Sequence, residues 1–217
     1  MFFPTPPARP DWSAAVRRLR RDPVMKRIIA RVGPCTLAPR RDYFIALCQS
    51  IYAQQISTRI ATTLFARFAA EFPRKTPTPA RVAAALSPGG WADEKIRRCG
   101  LSRQKRQYVL DLARHFADRR INAHKLHTLE DEAVIDALTD IHGVGRWTAE
   151  MFLIFVLNRP DVLPVDDLGL RESARRFYGL HERPRADVLR QIAEPWRPFR
   201  SIATWYLWRG GAIPGDQ

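Results

Sequence analysis

Cysteine is scarce in this chain, and what there is lies scattered. Cys35, Cys48 and Cys99 form no CxxC pair, and no histidine stands at zinc-ligand spacing from them. That excludes a disulfide framework and a side-chain zinc site, and it suits buried thiols in a reducing compartment. Long apolar runs are missing as well. The longest, Met151 to Leu157, falls far below the ~20 residues that span a bilayer as a helix, so no membrane partner is expected. The amino terminus, MFFPTPPARPDW, has no basic segment followed by an apolar core and does not read as a secretory leader. The expected location is cytoplasmic and nucleoid-associated, or nuclear in a host with a nucleus. Strand-like alternation is absent, and no repeat of solenoid length occurs. The expected fold class is all-α.

Acidic residues are also in short supply: 22 Asp and Glu face 36 Lys and Arg, a formal charge of +14 and a pI near 10.7. Most of the bases are arginine. Such an excess points to a polyanionic partner, because a positive surface releases counterions from a phosphate backbone as it binds. Charge by itself fits DNA, RNA and anionic lipid equally well. With 217 residues, 46% of them hydrophobic, the chain is long enough for one domain, or two packed subdomains, with a proper core.

What is present is helix after helix. Pro4, Pro6, Pro7 and Pro10 make residues 1–10 an extended, flexible leader. Val16, Leu19, Ile28 and Ile29 fit short amphipathic helices interrupted at Asp22-Pro23 and Gly33-Pro34. Residues 43–68 carry Phe44, Leu47, Ile51, Ile60, Leu64 and Phe68 at helical spacing on either side of a polar break, Gln54-Gln55-Ile56-Ser57. Thr78-Pro79 opens a short helix that ends by Pro88-Gly89-Gly90, and helices are expected over 93–98 and 102–119. Arg103, Lys105 and Arg106 near the start of the latter oppose the helix dipole and read as a solvated face, with phosphate contact as the lesser alternative. Thr128 to Asp131 resembles a capping box for the next helix. Further helices follow near 146–157, 167–177, 186–193 and 198–208.

Between two of these helices lies Ile141-His142-Gly143-Val144-Gly145-Arg146-Trp147-Thr148-Ala149. Two glycines one residue apart permit a tight hairpin and leave its backbone unobstructed. The amides of Val144, Gly145 and Arg146 can then face an anion at a helix start. A phosphate held so is gripped without reading sequence. An ordinary αα-hairpin would need only the glycines; Leu138 ahead and Thr148-Ala149 behind favour phosphate binding. His142, a lone histidine, reads as a surface side chain.

Leu138-x-x-Ile141-x-Gly143-x-Gly145-x-x-Thr148-Ala149 resembles the helix-hairpin-helix of the base-excision DNA glycosylases. Three other segments are similar to the 3-methyladenine DNA glycosylase II group: Ile51 to Ser57, Gly100-Leu101-Ser102-x-x-Lys105, and the tail from Pro195 to Trp208. The resemblance runs from about Asp22 to Arg209 and is to the compact form, without the amino-terminal β domain. It implies two helical subdomains with a DNA-binding cleft between them. One, of about 46–160, contains the hairpin; segments of about 11–45 and 161–217 form the other, both within a glycosylase domain of 11–217.

The resemblance also implies site residues. A carboxylate beside C1′ stabilises the positive charge that builds on a sugar as its base leaves. Leu163-Pro164-Val165-Asp166-Asp167-Leu168 offers two candidates; the family pattern selects Asp167 as catalytic and makes Asp166 a capping or structural neighbour. From the residues alone, both could be helix caps. Glycosylases that also nick the backbone place a lysine after the hairpin. Here Trp147 stands there, and no lysine follows Lys125, so hydrolysis without lyase activity is implied. The four-cysteine iron–sulfur motif of the endonuclease III branch is missing. Trp147, Met151 and Trp208 correspond to base-pocket positions, where an indole face attracts a methylated, cationic purine. Either tryptophan taken alone fits a core position equally well. Relatives often have an aromatic residue where Met151 stands. Gln54 and Gln55 fall in the wedge region that holds the gap open after base flipping, and a polar helix junction is the alternative. The carbonyls of Thr139, Ile141 and Val144 are implied ligands of a monovalent or similar ion bridging to a phosphate; no other cofactor is expected. Gly143 to Arg146 and Thr148 form the phosphate-binding hairpin. The implied partner is double-stranded DNA containing damaged bases, bound by a monomer. Two readings compete: a non-catalytic DNA-binding module, and a glycosylase for neutral lesions such as uracil, hypoxanthine or etheno bases.

Overall fold

The computed structural model describes residues 10–213. The expected leader lies outside them, apart from Pro10. Among the described residues the secondary structure is helical throughout, and no helix is long and apolar enough to cross a membrane. The chain forms two compact units. One runs up to Arg40 and resumes at Leu153; the other is Arg41–Phe152.

The first unit contains α1 (Ser13–Leu19), α2 (Pro23–Val32), α10 (Leu168–Phe177), α11 (Ala186–Ala193) and α12 (Arg200–Gly211). Its centre is α12, where Ile202, Ala203, Thr204, Trp205, Tyr206 and Leu207 are all buried. A helix apolar on every side belongs inside a core, and α12 packs against α2 and α10. Asp22-Pro23, read from the sequence as an interruption, is a junction with its own chemistry. Asp22 Oδ1 accepts the amides of Val24 (2.8 Å) and Met25 (3.2 Å), while Oδ2 accepts from Tyr178 Oη and Trp196 Nε1. Pro23, which has no amide proton to lose, sits in the first turn.

The second unit contains α3 (Tyr43–Ala53), α4 (Thr58–Ala70), α5 (Pro79–Leu86), α6 (Asp93–Arg98), α7 (Arg103–Ala117) and α8 (Asp131–Thr139). Helix α7 packs on α5 and α3. Leu47, Ile51, Tyr52, Phe68, Leu112 and Leu138 are fully buried here, at about 1.5–3 kcal/mol of transfer free energy for each large apolar side chain. The break at Gln54 to Ser57 is where expected. Ser57 Oγ caps α4 by accepting the Ile60 amide. The division between units falls inside α9 (Arg146–Phe155), a helix that the sequence reading gave whole to one subdomain.

Two local expectations need correction. Thr128 caps nothing: its hydroxyl donates to Lys125 O, and α8 begins after Glu130 without a side-chain cap. Nor is the basic start of α7 simply a solvated face. Lys105 Nζ donates to Tyr52 O (2.7 Å) and Gln54 O (2.8 Å), and Arg106 reaches Leu86 O and Asp93. Lys105 thus neutralises the carbonyl end of α3, a favourable place for a cation. The same burial lowers its pKa.

Candidate active site

The hairpin follows from its glycines. Gly143 has φ +88° and an added Cβ would lie 2.3 Å from the Tyr108 ring, so this position requires glycine twice over. Gly145 differs. It is exposed, and an added Cβ there would meet nothing within 4 Å. Sequence reasoning offered three amides to an anion, and the structure reduces them. The Val144 amide donates back to Ile141 O at 3.0 Å, closing the turn, and the Val144 side chain is buried. The amides of Gly145 and Arg146 open α9, where a helix has unpaired donors. The Arg146 guanidinium is bound to Glu132 (2.6 and 3.0 Å) and lies 3.3 Å from Glu150. Arg146 holds the Glu132 carboxyl below its ordinary pKa, so its side chain is engaged within the protein. Thr148 is buried behind the turn.

Side chains brace the hairpin from outside. Asp111 Oδ2 accepts the His142 amide at 2.8 Å, and the exposed His142 ring meets Tyr108 edge-on at 4.8 Å. Gln54 Nε2 donates to Gly143 O at 2.9 Å, while the Gln54 carbonyl accepts Lys105. Gln54 therefore joins the α3–α4 break to the glycine turn, and its side chain is occupied by that bond. Gln55 is exposed and adopts φ +62°, a left-handed backbone that costs a non-glycine residue about 1–3 kcal/mol. Gln54→Ala is expected to destabilise the fold by about 1 kcal/mol, the usual worth of one such bond, and Gln55→Ala to leave stability unchanged. Chemical denaturation of both variants checks this; equal losses would remove the brace.

Asp167 is the N-cap of α10 and is only 9% exposed. Its Oδ1 accepts the Leu170 amide at 2.5 Å and Trp208 Nε1 at 2.8 Å. Two donors on one oxygen fix the plane of the carboxylate. The capping role anticipated for Asp166 thus belongs to Asp167, and Asp166 is exposed. Trp208, half-buried, lies nearly parallel to Phe155 with ring centroids 5.5 Å apart. Gly169 lies against the same carboxylate: a Cβ there would sit 3.3 Å from Asp167 Oδ1 and 3.6 Å from Trp208 Nε1.

Trp147, 45% exposed, and the half-buried Met151 stand four residues apart on α9, and Phe155, 38% exposed, stands four further on. That spacing places all three on one helix face. Phe155 on that face stacks on Trp208. Phe155 and Gly169 were missed by sequence reasoning; the i, i+4, i+8 series from Trp147 could have found the first. Among the described residues, no group of three or more His, Cys, Asp or Glu could hold a metal ion.

Comparison with known proteins adds to this geometry. Residues 48–198 match the model of the HhH-GPD superfamily base excision DNA repair proteins. The chain is 32% identical over 193 residues to DNA-3-methyladenine glycosylase 1 of Schizosaccharomyces pombe, covering 85% of this chain and 80% of that protein. It is 29% identical over 187 residues to an alkylbase DNA glycosidase-like protein of the same yeast, covering 84% and 85%. Among solved structures, the Schizosaccharomyces pombe 3-methyladenine DNA glycosylase in complex with abasic DNA superposes with a TM-score of 0.82 at 30% identity, over 93% of this chain and 98% of that one. A DNA-3-methyladenine glycosidase from Bacillus halodurans gives 0.79 at 30% identity, over 93% and 90%. A glycine hairpin opening a helix, an aspartate that caps a helix and is held by an indole, and a family match across most of the chain agree: this protein belongs to the HhH-GPD superfamily of base excision DNA repair proteins.

Proposed function

We propose that the protein is a monofunctional DNA glycosylase, acting as a monomer on duplex DNA, that hydrolyses the N-glycosidic bond of alkylated bases of the 3-methyladenine and 7-methylguanine type. The observation that carries this reading is the setting of Asp167, a nearly buried carboxylate held by the Leu170 amide and the Trp208 indole. As the C1′–N bond breaks, its electrons leave with the base and positive charge develops on the sugar. A fixed carboxylate in a poorly solvated setting stabilises that charge more than water does and can take a proton from the attacking water. Water then adds at C1′ and leaves an abasic sugar. An alkylated, cationic purine departs as a neutral base, which makes it a good leaving group.

The amides of Gly145 and Arg146 would take a backbone phosphate, with Gly143, Val144 and Thr148 shaping the turn. The carbonyls of Thr139, Ile141 and Val144 are an oxygen-only donor set that suits a hard or monovalent cation. The Ile141 carbonyl, accepting from Val144 N, keeps a second lone pair for it; such an ion would add positive charge beside the phosphate. Trp147 and Met151 in the hairpin's unit, and separately Trp208 beside Asp167, are the base-contacting residues we assign, the indoles favouring a cationic ring. Gln55, whose side chain is exposed where that of Gln54 is bonded to Gly143, is the wedge we assign. Trp147 in place of an amine supports hydrolysis over Schiff-base chemistry.

Duplexes carrying methylated, etheno, uracil or hypoxanthine bases, incubated with the protein and then treated with alkali, test the activity. Alkali-dependent cleavage at methylated bases is expected, with a strand that stays intact when alkali is omitted. Cleavage without alkali, or none at any lesion, would refute it. Trp208→Phe keeps a ring against Phe155 but loses the donor to Asp167. Hydrogen bonds to charged groups contribute about 1.5–3 kcal/mol, so single-turnover base release should fall about 10- to 100-fold, with DNA affinity little changed. An unchanged rate would mean that the indole only lines the pocket.

A further inference from the structure

Tyr108, Asp111 and His115 follow one another along a single face of α7, at helical spacing. The first two hold the hairpin: the Tyr108 ring packs against Gly143 and His142, and Asp111 accepts the His142 amide. His115 is only 3% exposed and has no part in the reaction above. Its Nδ1 lies 2.9 Å from Asp111 O and 3.5 Å from Asp111 Oδ2, and its Nε2 lies 3.0 Å from Asp140 Oδ2. A backbone carbonyl and an ionised carboxylate can only accept. A neutral imidazole has one N–H, so it would turn a lone pair toward one of these oxygens. Both nitrogens must therefore donate, and the ring is an imidazolium while the two bonds stand.

The surroundings suit that charge. His115 stands in the last turn of α7, where the helix dipole favours a cation. Among the described residues, the charged side chains paired with the ring are Asp111, from its own helix, and Asp140, the C-cap of α8. Asp140 needs the cation in return. An aspartate at a helix carboxyl end meets the negative pole of the dipole, so helix stability does not account for it. Asp140 leads directly into Ile141-His142-Gly143. The imidazolium therefore joins two carboxylates, one just ahead of the glycine turn and one holding an amide within it. We infer that His115 is a positioning residue for the phosphate grip, fastening Asp140 and Asp111 so that the hairpin is set before DNA arrives. A turn ordered in advance lowers the cost of binding. This inference rests on the reading of the hairpin as that grip.

The sign of one substitution tests it. A carboxylate beside an anion site repels phosphate, so Asp140→Ala should tighten binding of an undamaged duplex if Asp140 contributes only its charge. If Asp140 is the fastening, affinity should instead fall about fivefold or more. His115→Phe should weaken binding likewise, and adding Asp140→Ala to it should cost nothing further, because no cation is left to fasten. The loss should fall on affinity rather than on single-turnover base release at saturating duplex, a split that general damage to the fold would not give. Asp140 is exposed, so its variant should fold even where His115→Phe does not. Proton–nitrogen correlation NMR of the wild type in neutral buffer should show both ring N–H groups of His115. A single ring N–H, or an Asp140→Ala variant that binds duplex as well as the wild type or better, overturns the inference. A wild type that binds no duplex would sink the hairpin reading and this inference with it; either of the other results, with wild-type binding intact, sinks this inference alone.

Discussion

Asp167→Asn is expected to slow single-turnover release of a methylated base by about a thousandfold, in the range found when one charge-stabilising or proton-transferring group is removed. The amide is nearly the same size and can still accept from the Leu170 amide and Trp208 Nε1, so the cap and the indole contact survive. What disappears is the negative charge. DNA affinity should be retained or rise, since a carboxylate repels phosphate. Asp166→Asn, one position away and exposed, should keep most of the activity. Rapid-quench measurement of base release, alongside binding of an undamaged duplex, separates the two effects. An inverted result, with Asp166 the sensitive position, would shift the assignment by one residue.

The two hairpin glycines should fail in different ways. Gly143→Ala forces a side chain onto a left-handed backbone and into the Tyr108 ring. That ring is held against His142, and its hydroxyl accepts from Gln104 Nε2, so it has little room to yield. The expected cost is about 1–3 kcal/mol, read as a lower denaturation midpoint, with weakened DNA binding as the turn distorts. Gly145→Ala has no such conflict, because its methyl would point into open space. It should fold with wild-type stability and still bind DNA at least tenfold more weakly, because the methyl stands where a phosphate must approach. Wild-type affinity in Gly145→Ala would exclude the hairpin amides as the phosphate grip.

The helices were legible in the sequence because periodicity reports which face is buried. The 93–98 and 186–193 helices appear with the bounds expected, and the Gln54–Ser57 break stands where polar residues interrupt the apolar series. Partners were not legible. Lys105 reaches Gln54 O across 51 positions and Gln54 reaches Gly143 O across 89; no local pattern encodes such meetings. The Thr128 capping box failed because a hydroxyl three residues ahead of an acid is only permissive, and a nearer carbonyl at Lys125 took the hydroxyl. Val144 failed for a similar reason, its amide being used to close the turn. At the carboxylate, the residues alone left Asp167 between cap and catalyst, and only the family resemblance selected catalysis. The structure removes the need to choose on capping grounds, since one oxygen takes both the cap and the indole.

Transition-state charge can be probed without turnover. Duplexes carrying a cationic azasugar or a neutral tetrahydrofuran in place of the damaged nucleotide differ mainly in the charge presented at the sugar. Enzyme complementarity to a developing cation predicts that the wild type binds the azasugar at least about a hundredfold more tightly, and that Asp167→Asn abolishes the preference. Equal affinity of the wild type for both duplexes, or a preference that survives Asp167→Asn, would contradict the account.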